Sequence, residues 1–112
     1  MGKSKNEIEV VRSSGNVFAD LGLPKAEEKR TKVRLAFAIN EIMRSQQLSQ
    51  AAAARCLNIN QPKISALRNY QLQGFSVERL MNFLTALGRD VEIVIHHKSR
   101  RSKGGQILVT AA

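Results

Sequence analysis

The side chains best placed to do chemistry lie in one stretch, LSQAAAARCLNINQPKISALRNY, residues 48–70. Its second half carries Ile64 and Leu67 at i, i+3, the spacing of an inward helical face. Gln61, Lys63, Ser65, Ala66 and Asn69 are left facing outward or to the side, with Pro62 in the first turn. That set suits the edges of DNA bases. Glutamine bonds adenine bidentately in the major groove, lysine reaches guanine or a phosphate, serine reaches either, and alanine touches the thymine methyl. Between Glu41 and Glu78 there is no acidic residue, while Arg44, Arg55, Lys63 and Arg68 are present. A surface that approaches phosphates avoids carboxylates.

Nothing else in the chain reads as a reactive centre. No Ser/His/acid set, paired carboxylates or glycine-rich phosphate loop occurs, and Gly104-Gly105 has no helix behind it. The expectation is no catalytic residue and no cofactor. Cys56 is the one cysteine, which excludes an intrachain disulfide and a cysteine-rich metal site and suits a reducing cytoplasm. It is expected to be a buried or semi-buried small residue. His96 and His97 are adjacent and would point to opposite faces of a strand, so no metal site is expected. With 18 Lys and Arg against 9 acidic residues, the net charge of +9 favours an anionic partner, nucleic acid first, although surplus charge also serves solubility. No apolar run spans a bilayer, so no membrane partner is expected.

These residues need elements to hold them. Ser49 is an N-cap for a helix Gln50–Leu57, and Asn60 caps the next, with Gln61 and Pro62 in its first turn. Four alanines, Ala51 to Ala54, make the first helix thin enough for a close crossing, placed at Ala54. Asn58 stands where a backbone turn wants positive φ, and Ile59 would plug that turn into the core. Two short helices joined by a tight turn form a helix-turn-helix, whose second helix enters the major groove.

Before this unit, Pro24 opens a long helix from about Lys25 to about Gln47, with Leu35, Ile39 and Ile42 at helical spacing and Ala36 and Met43 beside them. Lys25, Lys29, Arg30, Lys32 and Arg34 crowd its first half, either as a solvated face or toward phosphate or a partner. Upstream, Asn16 and Gly22 bracket one apolar helical turn, and Ile8–Val11 is a possible short strand. After the unit comes a loop in which Gln71 or Gln73 can donate to a phosphate. Ser76 then caps a helix Val77–Leu87 that turns Val77, Leu80, Met81, Leu84 and Leu87 inward and ends at Gly88.

At Asp90–His96 the period changes to 2, with Val91, Ile93 and Ile95 on one face. A lone strand leaves both edges unpaired. It is expected to pair with its copy in a dimer, the alternatives being another protein, Ile8–Val11 or Ile107–Val109. The organisation is therefore a flexible arm over 1–15, one domain over 16–96, and a basic tail over 97–112 expected to be disordered, within which Ile107–Val109 could dock as a strand.

Three blocks carry a family likeness: VFADLGLP at 17–24, LSQAAAARCLNINQPKISAL at 48–67 and GFSVERLMNFLTALGRDVEIVI at 74–95. Together they resemble the XRE-type, lambda-repressor-like helix-turn-helix regulators, and within them the small HigA-like antitoxins. The resemblance implies a mostly α, five-helix DNA-binding domain with one C-terminal β-strand used in dimerisation. It implies a cytoplasmic, autoregulatory transcriptional repressor that binds a palindromic double-stranded operator and, in the antitoxin subgroup, a RelE-type toxin. Gln50 matches the phosphate-contacting residue at the start of the first motif helix. Gln61, Pro62, Lys63, Ala66 and Asn69 fall at recognition-helix positions. Asn58 departs from the common turn glycine, and Pro62 removes a donor where DNA would be met. The alternatives are a stand-alone regulator without a toxin, a module that chiefly binds a toxin, or an RNA-binding or nucleoid-type protein acting through charge alone.

Overall fold

The computed structural model describes residues 25–97 and 104–111. The expected arm at 1–15, the strand at Ile8–Val11 and the helical turn after Asn16 lie outside them. The described residues hold four helices: α1 (Lys25–Ser45), α2 (Gln50–Leu57), α3 (Gln61–Arg68) and α4 (Val77–Ala86). None is long and apolar enough to cross a membrane.

Caps decide where three of them begin. The side chains of Ser49, Asn60 and Ser76 accept from the backbone N–H groups of Ala52, Lys63 and Arg79 respectively, all three caps in extended backbone. α1 is laced by its own acids: Glu27 pairs with Arg30 at 2.8 Å, Glu28 with Lys32 at 3.7 Å and Glu41 with Arg44 at 2.8 Å. Its crowded basic half is thus in part a solvated, self-paired face. The helix stops at Ser45, two residues short of the expected end, because Gln47 turns to φ 56°.

α1 packs along α4, and α2 against α3. Leu35, Ala36, Ile39 and Met43 from α1 meet Ile64 and Leu67 from α3 and Leu80 and Phe83 from α4 in one aliphatic core. Ala54 and Met81 pack against this core as expected, and two further residues go deeper. In α2 the fully buried alanine is Ala53, while Ala54 is half-buried at the edge of the core. In α4 it is Phe83 that is buried and Met81 that is half-buried, because the Phe83 ring meets Phe75 edge-on at 5.9 Å. Asn58 has φ 57°, as its place in the turn required.

Residues 91–97 form no strand here. Strand structure is a property of pairing, and no described segment bonds to them. Ile93 is 70% exposed and Ile95 90%. Ile107–Val109, one candidate partner, goes instead to α1. The Ile107 N–H donates to Glu27 Oε2 at 3.3 Å, Arg34 donates to the Ile107 carbonyl at 3.2 Å, and Val109 packs against the core. The hydrogen bonds from Arg30 and then from the Ile107 amide hold the Glu27 carboxyl below its ordinary pKa.

Candidate nucleic-acid interface

The end of α3 expected to meet DNA is its first turn. Asn60 Oδ1 accepts from the Lys63 N–H at 3.0 Å and fixes where that turn starts. Gln61 and Pro62 follow it, both exposed. Ile64 and Leu67, fully buried, set the rotation of the helix about its axis. At the far end Asn40 Nδ2 donates to the Leu67 carbonyl at 3.2 Å, and Arg68 donates to the Leu48 carbonyl at 3.0 Å. These two side chains tie the C-terminal end of α3 to α1 and to the α1–α2 turn, and Asn40 thereby satisfies a carbonyl that the helix end leaves open. The Asn40 Oδ1 is buried without a partner of its own.

The expected site residues divide into three groups. Ser49, Gln61 and Pro62 are exposed, with Gln50 half-buried at the start of α2. The Ser49 hydroxyl accepts from the Ala52 N–H at 3.1 Å, which leaves its own proton to donate. Ser65 and Asn69 stand one turn apart, and the Asn69 amide is already bonded to the Ser65 carbonyl at 2.9 Å. The Asn69 amide nitrogen is thereby engaged within α3, which leaves its oxygen as the group still open to an outside donor. Ala66 is half-buried against the core, so its methyl is only partly presented. Lys63 is half-buried as well, because its ammonium lies over the Phe75 ring at 5.5 Å from the centroid.

Cys56 is exposed, a correction to its expected burial. Leu57 takes the inward position beside it, and the thiol lies 3.5 Å from the Ala86 carbonyl at the surface. Arg79 went unnoticed in the sequence. Its guanidinium stacks on both Phe75 and Phe83, at 5.8 and 5.6 Å. Only the basic-aromatic alternation of Phe75, Arg79 and Phe83 at i, i+4, i+8 could have signalled it. Val91, Ile93 and Ile95 are all exposed and lie outside the helical body that presents α3.

Electrostatically this end is open to anions. Lys63 and Arg79 beside this end, and Arg55 and Arg68 elsewhere on the unit, have no carboxylate within salt-bridge distance among the described residues, in contrast to the paired cations of α1.

Comparison with known proteins agrees with this geometry. Residues 17–96 match the model of a family described as a helix-turn-helix domain. The chain is also similar to a solved structure provisionally described as an XRE family transcriptional regulator. The two are 61% identical, with a TM-score of 0.76, over 80% of this chain and 100% of that one. No curated protein matches the sequence.

Proposed function

This chain belongs to the XRE-type helix-turn-helix regulators, and we propose that it is a sequence-specific repressor that binds a palindromic operator as a homodimer. DNA-binding transcriptional regulation follows from that membership. The observation that carries the finer reading is the first turn of α3. There Gln61 is exposed beside cations that no described carboxylate neutralises. The free amide supports base discrimination, and the unpaired cations support phosphate contact. A gel-shift titration against the chain's own upstream DNA tests this, and the absence of a specific complex at moderate salt refutes it. Gln61→Ala should weaken discrimination at one base pair by ~1–3 kcal/mol while leaving binding to random DNA unchanged.

Dimerisation is supported by the exposed apolar side chains of Val91, Ile93 and Ile95 on a segment whose backbone has no partner among the described residues. Pairing this segment with its copy would satisfy one edge and set two α3 helices for half-sites about one helical turn apart.

A second protein partner is favoured by Val94. In a strand it takes the face opposite Ile93, and it too is exposed. Together with the likeness to HigA-like proteins, this supports an autoregulatory antitoxin whose partner is a RelE-type toxin. A small toxin-like reading frame beside the gene, and co-purification of its product with this chain, is the expected result. Failure of that pair to associate removes the antitoxin reading and leaves the regulator.

A further inference from the structure

Phe75 holds a cation on each of two different helices. Lys63, at the reading end of α3, places its Nζ 5.5 Å from the ring centroid. Arg79, in the first turn of α4, places its guanidinium 5.8 Å from the same ring and 5.6 Å from Phe83. The rings are themselves locked edge-on in the core, so both cations are positioned by rigid groups. An aromatic face holds a cation without neutralising it: the ring supplies neither a carboxylate nor a hydrogen-bond acceptor in the plane of the guanidinium. Neither cation has a carboxylate within salt-bridge distance among the described residues.

The position of Arg79 is unfavourable for the fold on its own. The first turn of a helix carries the positive end of the dipole and favours acids. Two unneutralised cations are thus gathered beside the reading turn at an electrostatic cost that an anion would relieve. Gly74, between the two helices, presents no side chain there. A Cβ on it would lie 3.7 Å from the Lys63 Nζ, which places this loop directly beside the ammonium.

We infer that Lys63 and Arg79, held on either side of Phe75, form one clamp for the DNA sugar-phosphate backbone, and that Arg79 is a phosphate-contacting residue of this protein. The inference rests on the DNA-binding reading and adds to it a residue outside the helix-turn-helix. The clamp carries no base information. It fixes the height of α3 in the groove so that Gln61 meets the same base edge each time.

The test is the salt dependence of binding by the full chain, to operator DNA and to random duplex, for wild type, Arg79→Gln and Arg79→Lys. Each neutralised phosphate contributes about 0.9 to the slope of log K against log salt. Arg79→Gln should therefore lower the slope by about 0.9 per protomer, about 1.8 for the bound dimer, on both DNAs, and weaken dimer binding roughly 60-fold at 0.1 M relative to 1 M salt. Arg79→Lys should restore the slope, which a merely structural loss would not allow. Arg79→Met, with an unbranched stem to cover both rings, replaces the glutamine variant if that one does not fold. An unchanged slope in a folded, charge-removed variant that still selects the operator overturns the clamp and leaves the DNA reading intact. Absence of operator selection in the wild type overturns both.

Discussion

Asn60 allows folding and DNA contact to be separated at one atom pair. Its Oδ1 accepts from the Lys63 N–H at 3.0 Å, and the residue has the extended backbone of an N-cap. Replacing it with alanine removes one side-chain acceptor from an eight-residue helix. Such a loss costs about 1 kcal/mol, and a helix this short has little intrinsic stability to spare. Ile64 and Leu67 keep α3 attached, so the change should frustrate its first turn and not detach the helix. For a domain of this size about 1 kcal/mol is a fall in Tm of roughly 4–8 °C. Asn60→Asp differs in kind. Aspartate caps as well as asparagine, and its charge favours a helix N-terminus by a further ~0.3–1 kcal/mol, so stability should hold or rise. The same carboxylate enters a stretch that has no acid between Glu41 and Glu78. At about 6 Å from a phosphate it would cost about 0.7 kcal/mol in bulk water and near 3 kcal/mol at an effective dielectric of 20. The expected loss of DNA affinity is therefore at least about threefold and up to ~100-fold, steepest at low salt. Thermal unfolding and fluorescence-anisotropy titrations at two salt concentrations give both quantities. An Asn60→Asp protein that is as stable as wild type and binds DNA equally well at low salt refutes the placement of this helix end at the backbone.

Other expectations follow from the core, from α1 and from the exposed segment. Ile64→Ala, at a fully buried position shared by α1 and α3, should cost about 2–5 kcal/mol in chemical denaturation and abolish operator binding through the fold. The Glu27 carboxyl sits below its ordinary pKa because Arg30 and the Ile107 amide bond its charged form, so the contact is complete above the ordinary glutamate range. It is lost as pH falls through the lowered value. The Ile107 amide resonance should report that loss on acidification, and in Glu27→Gln its pH dependence should vanish. Ile93→Lys should shift sedimentation toward the monomer and weaken operator binding while leaving the helical circular dichroism intact; an unchanged dimer would exclude this segment from the interface.

The helix boundaries were legible because caps and apolar periods are local signals. Ser49, Asn60 and Ser76 each accept from an N–H three residues on, within reach of a reading of neighbours. The inward set Leu35, Ile39, Ile64, Leu67 and Leu80 followed from spacing alone. What escaped depended on which neighbour arrives. Phe83 joins the core because Phe75 offers it a ring, and Ala53 is buried beside Ala54 in the thin helix. Cys56 could sit on either side of α2 until Leu57 was seen to take the inside. Lys63 was read as an outward side chain, and its stem bends to a ring twelve residues away, which no periodicity encodes. The strand period at 90–96 describes side chains only, and the pairing it calls for is made by no described segment. Arg34 and Glu27 both hold the backbone of Ile107, a contact across more than seventy positions that no local pattern announces.

The bonds from α1 to Ile107 span 80 and 73 positions along the chain, whereas the caps of α2, α3 and α4 each span three. Closing a loop of that length costs chain entropy that only later contacts repay, while caps and turns close almost at once. Loop-closure entropy thus predicts that the helix-turn-helix and its supporting helices form first and the Ile107 contact closes last. Changes to that contact should therefore act on its rate of opening and leave the rate of folding nearly untouched.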